Sequence, residues 1–409
     1  MKTVNVLVLA LLLAGSLLHS AVAAPPIEKL VFKHVNLIDG VSPQPLRDVT
    51  VTVQGSRIES VSSGSVQAAA GTRVIDLDGR WMLPGLIDMH AHLRDLASAR
   101  TALRSGVTTV RSLGSIHFVD VGIRELHRGG ATDLPHVAAA GYHIRHRMAE
   151  EFFVDTPQLL PMMSGLSGEA DVRSAIRAIA GHNVDVIKIM MTERAGMLDA
   201  DPLKRELTDL ELAAAVAEAK SAGLPVAAHA HTDEAARVAV LAGVRSIEHG
   251  TLLSEETLAL MRERGTCLVP TISFWRDMLD AGGDYDDPAL VARAKEMLPR
   301  VQNATALAWK MGVTVAAGSD MRYANNTRQV ADEVAELVSA GLPPMIAINA
   351  ATSTAAMCLE LGASTGAVRP GLEADLVVIE RDPLLDIDAL HDVALVVNDG
   401  IVVLDRLAQ

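Results

Sequence analysis

The sequence has 409 residues, of which 49% are hydrophobic and only 3% aromatic, and its formal net charge is −14 at pH 7. An acidic chain repels the phosphate backbone, so this charge argues against nucleic acid as the partner. The length exceeds that of one average domain and suits one large domain with an appendage.

The first residues have the layout of a signal peptide. Lys2 precedes an apolar run over residues 4–18, and Ala21 and Ala23 form a small-residue cleavage site. We therefore predict a signal peptide over residues 1–23, export to the periplasm or the medium, and no stable membrane span after cleavage. Because Cys267 and Cys358 lie in apolar or helical-looking segments, we expect two buried thiols, although an exported chain could also form one disulfide.

Both ends of the chain are rich in short β-type runs. Residues 29–33, 49–53, 57–61 and 73–77 alternate with turn signals, and residues 374–379, 393–397 and 400–403 have the same pattern. Short strands at this spacing predict a small antiparallel sheet. We expect residues 24–82 and 366–409 to form one β-sandwich domain built from both chain ends.

The middle of the chain alternates apolar runs with helical patterns. At five joints a glycine closes a helix and a β-branched run follows, beginning at Gly106, Gly223, Gly243, Gly265 and Gly312. With further runs at residues 86–90, 136–142 and 184–190, the pattern gives eight strands over about 280 residues, near the usual size of a (β/α)8 barrel. Residues 83–365 are therefore predicted to form a (β/α)8 TIM barrel, an α/β fold.

Polar residues cluster where these predicted strands end. They are His90, His92, His229, His249 and Asp320, and Lys188 lies inside the fourth strand. Imidazole and carboxylate donors at one end of a barrel suit a metal ion such as Zn²⁺. A buried lysine is costly unless it is neutralised or used. The alternative is a structural Lys188 whose ammonium reaches Asp185 or Glu193.

Five segments resemble signatures of the amidohydrolase superfamily. They are PGLIDMHAH at residues 84–92, GVTTVR at 106–111, SIEHGT at 246–251, GSD at 318–320 and GAVRPGLEADL at 366–376. The resemblance covers nearly all of the chain after residue 23. It is strongest to a dinuclear subgroup that includes Xaa-Pro and other carboxyl-end dipeptidases, N-acyl amino acid hydrolases and imidazolonepropionase-like amidohydrolases.

The resemblance implies a metal site and a reaction. His90, His92 and Asp320 would bind one divalent ion and His229 and His249 a second, with a carboxylated Lys188 bridging two ions that we expect to be Zn²⁺. A hydroxide bridging the ions would attack the carbonyl, and Asp320 would pass its proton to the leaving amine. The expected enzyme is a metal-dependent hydrolase of carbon–nitrogen bonds. Its expected substrate is a small peptide or amide, cut next to a carboxyl-terminal amino acid by a dipeptidase, carboxypeptidase or N-acyl amino acid hydrolase. Relatives of this type also suggest a homo-oligomer.

Two other functions remain open from the sequence. His231 and Glu234 match a His-x-x-Glu arrangement of mononuclear deaminases that act on nitrogen heterocycles, where the Glu moves the proton. Glu234 could instead simply open a helix, where a carboxylate is favoured. A non-catalytic binding scaffold is the third alternative, and the complete set of ligand positions argues against it.

Candidate substrate contacts follow the third, fifth and eighth predicted strands. Cationic or hydrogen-bonding side chains there could bind a substrate carboxylate. The candidates are Tyr142, His143, His146, His231, Arg322 and Tyr323, with Arg145 beside them. For His231, the sequence leaves open a metal ligand, a substrate contact and a supporting role.

Overall fold

The computed structural model describes residues 29–64, 71–281, 285–324 and 328–407. The predicted signal peptide lies outside these residues. The strands are β1 (Lys29–Leu37), β2 (Leu46–Gln54), β3 (Arg57–Ser63), β4 (Arg73–Asp76), β5 (Trp81–Pro84), β6 (Leu86–Ala91), β7 (Val107–Ser112), β8 (His136–Ala139), β9 (Ile187–Met190), β10 (Val226–Thr232), β11 (Ser246–Leu252), β12 (Cys267–Val269), β13 (Leu376–Ile379), β14 (Val393–Asn398) and β15 (Ile401–Asp405).

The α-helices of the described residues follow in chain order. They are α1 (Leu96–Arg104), α2 (Val119–Arg128), α3 (Glu150–Asp155), α4 (Gly168–Ala180), α5 (Asp209–Ser221), α6 (Asp233–Ala242), α7 (Glu255–Arg264), α8 (Ile272–Asp277), α9 (Pro288–Lys310), α10 (Val330–Ser339), α11 (Pro344–Ala350) and α12 (Ser353–Cys358). Short 3₁₀ helices cover Ile116–Phe118, Pro157–Met162 and Ile387–His391. None of the helices within the described ranges is long and apolar enough to cross a membrane.

Strands from both ends of the described chain form one sheet. Its strand order is β15-β14-β13-β5-β1-β2-β3, with β4 also paired to β1. The expected antiparallel pairing is only partly correct, because β1 runs parallel to both β4 and β5. Alternate residues such as Leu30, Phe32 and Val51 face a buried core of this sheet. The result is a mixed sheet that joins the start of the chain to its end.

The named strands in the middle of the described chain pair in parallel. One sheet has the order β6-β7-β8 and the other β12-β11-β10-β9. An isolated parallel bridge joins Ile144 to Ile189, and two hydrogen bonds of 2.8 Å connect Ile144 with the main chain of Lys188 and Met190. Buried apolar residues of these strands pack against the surrounding helices in the largest core of the molecule. These segments form an α/β unit.

The eighth predicted strand, over residues 313–316, is not a regular strand. Val315 bridges to Leu268 of β12, and Met321 bridges to Ala91 of β6. Between them the Ala317 amide donates to the Ala350 carbonyl of α11 at 2.8 Å, so the ladder is interrupted. The segment still contacts strands of both sheets.

Glycines close the helices where the sequence predicts them. Gly243 follows α6 with φ of 96°, and Gly265 follows α7 with φ of 67°. A helix commonly ends at a residue in the left-handed conformation, and glycine adopts it without steric strain because it has no Cβ. The next strand begins within three residues of each glycine, β11 after Gly243 and β12 after Gly265.

The two cysteines form a disulfide, so the expectation of two free thiols was wrong. Cys267 lies at the start of β12 and Cys358 at the end of α12, and their sulfurs are bonded. Both are buried in an apolar cluster with Ile87 and Met89. The residues are 91 positions apart, and the fold rather than the local sequence brings them together.

Candidate active site

The predicted ligand residues meet in one cavity at the carboxyl ends of the parallel strands. His90 is in β6, Lys188 in β9, His229 and His231 in β10, and His249 in β11. The cavity has a volume of about 390 Å³. Its walls also include His92, Asp320 and Arg322, together with Tyr142, His143, Arg145 and Arg194.

A buried carboxylate fixes the orientation of His90. The Nδ1–H of His90 donates to Glu248 Oε2 at 2.9 Å, and Arg111 Nη2 donates to the other oxygen of Glu248 at 2.8 Å. Ser246 also donates to Glu248, at 2.5 Å. Although burial opposes ionisation, Arg111 and His90 hold the pKa of Glu248 at about 2. A carboxylate behind an imidazole is the usual support of a metal-binding histidine, and it leaves Nε2 of His90 facing the cavity.

Asp320 lies beside His90 of β6 and His92, which follows that strand. Its Oδ1 is 2.8 Å from His92 Nε2 and 3.4 Å from His90 Nε2. The Nδ1–H of His92 donates to the Gly114 carbonyl at 3.1 Å, which turns Nε2 toward Asp320. Burial alone would raise the pKa of Asp320, but the two histidines lower it to about 2. Asp320 therefore presents an ionised carboxylate in the cavity.

Three histidines from β10 and β11 form a second group of donors. One nitrogen from each of His229, His231 and His249 lies within 4.8 Å of the others, and His249 is also grouped in this way with His90 and Asp320. The Nδ1 atoms of His231 and His249 contact the hydroxyls of Thr251 at 2.9 Å and Thr271 at 2.7 Å. Burial lowers the pKa of His231 to about 3 and that of His90 to about 4. Neutral imidazoles are the form that binds metal.

Lys188 is buried among these donors. Its side chain is 2% exposed, and its Nζ has no hydrogen-bond partner in the described part of the chain. The two carboxylates considered from the sequence are occupied elsewhere, because Asp185 pairs with Arg124 and Glu193 with Lys204. Burial lowers the pKa of Lys188 to about 8, although Glu248 and Asp320 oppose that shift. The structural alternative for Lys188 is therefore disfavoured.

Cationic side chains also line the cavity. Arg145 and Arg194 both line it, and the repulsion between them adds to burial in lowering the pKa of Arg145. The Nε of Arg145 has no partner among the residues that the structure covers. His143 lies next to them, and burial lowers its pKa well below the ordinary value. These side chains offer donors to an anionic group. Arg194 was not found from the sequence, because the loop after β9 carries no signature.

The predicted substrate contacts divide into two groups. Tyr142, His143, His231 and Arg322 line the cavity, although the Tyr142 hydroxyl donates to Asp155 at 2.6 Å. Tyr323 does not line the cavity. It is buried, and its hydroxyl donates to Oδ2 of Asp88, a buried carboxylate of β6, at 2.7 Å.

His146 also lies outside the cavity, exposed on the loop after Arg145. Its main-chain amide donates to Glu206 at 3.1 Å. Glu234 is exposed as well. It lies in the first turn of α6, bonded to Arg205 at 2.5 Å, and it is not part of the cavity wall.

The donors fit divalent metal ions. Imidazole nitrogens and one carboxylate are the ligands that Zn²⁺ prefers. Two buried nitrogens in the same cavity, Lys188 Nζ and His231 Nε2, have no partner within the described residues. Buried polar atoms are normally satisfied, so their environment is complete only with a further group. Such a site at the ends of parallel strands defines a metal-dependent hydrolase.

Comparisons with known proteins agree with this class. The profile described as Amidohydrolase family matches residues 81–403. An uncharacterized protein of Mycobacterium tuberculosis is 30% identical over 357 residues, covering 82% of this chain and 88% of that protein. The ochratoxinase of Aspergillus niger is 31% identical over 226 residues, covering 55% of this chain and 47% of that enzyme. The chain belongs to the amidohydrolase family and is a hydrolase of carbon–nitrogen bonds.

A solved structure of a Xaa-Pro dipeptidase with bound methionine superposes with a TM-score of 0.81 at 29% identity. The similarity covers 92% of this chain and 99% of that one. The predicted resemblance to the family is confirmed over nearly the whole described chain.

Proposed function

We propose that this protein hydrolyses the amide bond that precedes a carboxyl-terminal amino acid, in a small peptide or an N-acyl amino acid. The observation that carries the proposal is the position of Lys188 Nζ, which has no partner within the described residues, in the cavity shared by the histidines and Asp320. A lysine with this environment can accept a carboxyl group, which would turn a buried cation into an anion between metal ions.

In the proposed site, His90, His92 and Asp320 would hold one divalent ion and His229 and His249 would hold the other. A carboxylated Lys188 would supply an oxygen ligand to each ion, and Zn²⁺ is the proposed metal. His231 is available to the second group, since one of its nitrogens lies within 4.8 Å of those of His229 and His249. When bound, the ions would supply an activated water and polarise the scissile carbonyl.

Asp320 is the proposed proton carrier. Its carboxylate is ionised near neutral pH and lies in the cavity with His92 at 2.8 Å. It can accept the proton of the attacking water and deliver it to the leaving amine. The main-chain amide of Asp320 donates to the His90 carbonyl at 2.6 Å, which holds Asp320 next to β6.

Arg145, Arg194 and His143 are proposed to bind the carboxylate of the substrate. The Nε of Arg145 lacks a partner in the described structure, and a carboxylate would satisfy it and offset the repulsion between the two arginines. A cavity lined by imidazoles, Asp320 and guanidinium groups suits a molecule with an amide close to a carboxylate.

The deaminase alternative is less well supported. It requires Glu234 to move a proton at the substrate, but its carboxylate is 67% exposed and bonded to Arg205. The position agrees with a carboxylate that opens helix α6. Lys188 would also have no task in a mononuclear deaminase.

The architecture is proposed to close as a (β/α)8 barrel over residues 83–365. The bridges from residues 313–321 to Leu268 and Ala91 support an eighth position between β12 and β6. Residues 24–82 and 366–409 are the proposed second domain. Cleavage of residues 1–23, export and homo-oligomer formation stay predictions.

One experiment tests the function. Metal per subunit would be measured by elemental analysis, and intact mass under mild, non-acidic conditions would show a carboxyl group on Lys188. Matched dipeptides and N-acyl amino acids, each with a free carboxylate or a carboxamide, would then be assayed for amino acid release. We expect two metals that depend on Lys188, the added mass, and turnover of the free acids well above that of the carboxamides. The Lys188→Ala variant should lose the mass, the metals and the turnover together. One metal per subunit, or ammonia release from an aminopurine without amino acid release, would contradict the proposal.

A further inference from the structure

A second cluster of histidines and carboxylates lies outside the cavity. His127 is in the last turn of α2, His136 begins β8, and Asp399 lies in the turn between β14 and β15. Their ligand atoms lie within 4.8 Å of one another. The cluster thus joins the parallel-strand unit to the sheet formed by the chain ends.

Both oxygens of Asp399 face imidazole nitrogens. His127 Nε2 is 3.2 Å from Oδ2, and His136 Nε2 is 3.1 Å from Oδ1. Ligands of a tetrahedral Zn²⁺ ion at its usual bond lengths are separated by ~3.3 Å. The spacing of these donors therefore fits a metal site, as it also fits an ion pair.

The ring of His127 has a fixed tautomer. Its Nδ1 is 3.0 Å from the Leu134 carbonyl, which can only accept, so Nδ1 carries hydrogen. The Asn398 amide donates to the same carbonyl at 3.2 Å and holds it in place. In the neutral ring Nε2 then directs a lone pair at the carboxylate of Asp399. That contact is repulsive unless a cation, either a proton or a metal ion, lies between the two atoms. His92 has the same arrangement in the active site, with Nδ1 on a carbonyl and Nε2 on Asp320.

Further carboxylates surround the cluster. One ligand atom each of His136, Glu373 and Asp375 also lies within 4.8 Å of the others. Arg57 reaches Glu373 only at 4.0 Å. The carboxylates of Asp399, Asp375 and Glu373 therefore lie around the imidazole of His136. Their combined negative charge favours a divalent cation.

We propose that His127, His136 and Asp399 form a separate binding site for a divalent transition metal such as Zn²⁺. Glu373 or water would complete the coordination. Two imidazoles and a carboxylate are the borderline donors that select such ions over Mg²⁺ or Ca²⁺. The side chains of His136 and Asp399 are 29% and 34% exposed, so an ion can enter from solvent. The site would link residues from the two structural units, and it does not depend on the proposed function.

The test compares zinc binding by the wild-type protein and three variants. The metal-free protein would be titrated with zinc ion alone near pH 7.5 against a competing chelator, and zinc per subunit would be measured after gel filtration. The variants are His136→Gln, Asp399→Asn and, as a control, His391→Gln, which changes a histidine paired with Asp332 at 3.6 Å. Asn tolerates the left-handed conformation of Asp399, whose φ is 50°, so this variant should fold.

We expect both site variants to bind one zinc ion fewer than the wild type, to keep turnover, and to lose part of the rise in melting temperature that zinc causes. The control should match the wild type in all three. Equal zinc content in the wild type and both site variants would overturn the proposal, as would an additional ion seen only at millimolar zinc. The cluster would then be an ion pair in which protons occupy the imidazole nitrogens.

Discussion

Glu248→Gln should weaken both metal binding and folding, although Glu248 is not itself proposed to bind metal. The side chain is fully buried and accepts hydrogen bonds from His90, Arg111 and Ser246. If the new amide keeps its oxygen toward Arg111, its NH₂ faces His90 Nδ1, which must then accept. The hydrogen of His90 would move to Nε2, the atom that faces Asp320 at 3.4 Å and is proposed to bind metal.

The structure sets the size of both effects. Arg111 is 2% exposed, and its remaining bonds go to Ser246 at 2.9 Å and the Met89 carbonyl at 2.6 Å, so the variant leaves a buried charge without its carboxylate. Breaking a buried ion pair in this way lowers the free energy of unfolding by about 3–5 kcal/mol. Removing the carboxylate behind a metal-binding histidine weakens metal binding by about 10–100-fold, or ~1.4–2.7 kcal/mol.

Two assays measure these effects separately. Urea unfolding of the metal-free protein gives the folding term, and competition with a chelator gives the metal affinity. Glu263→Gln, on the exposed side of α7, makes the same charge change and should leave both values unaltered. The reasoning is refuted if Glu248→Gln binds metal within about twofold of this control and unfolds within about 0.5 kcal/mol of it.

Three other predictions concern the rest of the molecule. Arg145→Met should lower kcat/KM about 10–150-fold for substrates with a free carboxylate, because it removes ~1.5–3 kcal/mol of charge-assisted hydrogen bonding. The kcat/KM values of the carboxamides should not change, and the Arg147→Met variant of the exposed neighbour is the control. An equal loss on both substrate types would contradict the assignment. Burial raises the pKa of Glu333 to about 8, above its ordinary 4.5, so the unfolded chain loses this proton first and stability should fall as pH rises between these values. Glu333→Gln should flatten that part of the profile in urea unfolding, and an unchanged slope would count against it. Replacing Cys267 and Cys358 by Ala should lower unfolding free energy by about 4–5 kcal/mol, from opening a loop of 91 residues. Reductant should then affect the wild type and not the variant.

The sequence predicted the features that repeat or that follow local chemistry. The positions of His90, His229 and His249 on parallel strands follow from the apolar runs that contain them, although β10 and β11 continue three residues past His229 and His249. The helix ends at Gly243 and Gly265 follow from the left-handed conformation that glycine permits. These signals reside in a few neighbouring residues, so they can be read without knowing the fold.

Other features depend on partners that are distant in the chain. The direction of Tyr323 is decided by Asp88, which lies 235 positions earlier and accepts its hydroxyl. The disulfide and the Arg111–Glu248 pair are likewise formed by separate elements that only the folded chain brings together. Nor could the sequence distinguish an outward His146 from an inward His143, because loop residues lack the alternation that strands impose.

The hydrogen bonds of Ile144 have a consequence for substrate selection. They tie the residue before Arg145 directly to the main chain of Lys188 and Met190, at 2.8 Å each. In the proposed binding mode, the separation between the group that binds the carboxylate and the reacting centre is therefore set by two main-chain bonds rather than by a flexible loop. Such an enzyme would select molecules by the number of covalent bonds between amide and carboxylate. It would accept α-amino acids of varied side chain and reject their β- and γ-homologues.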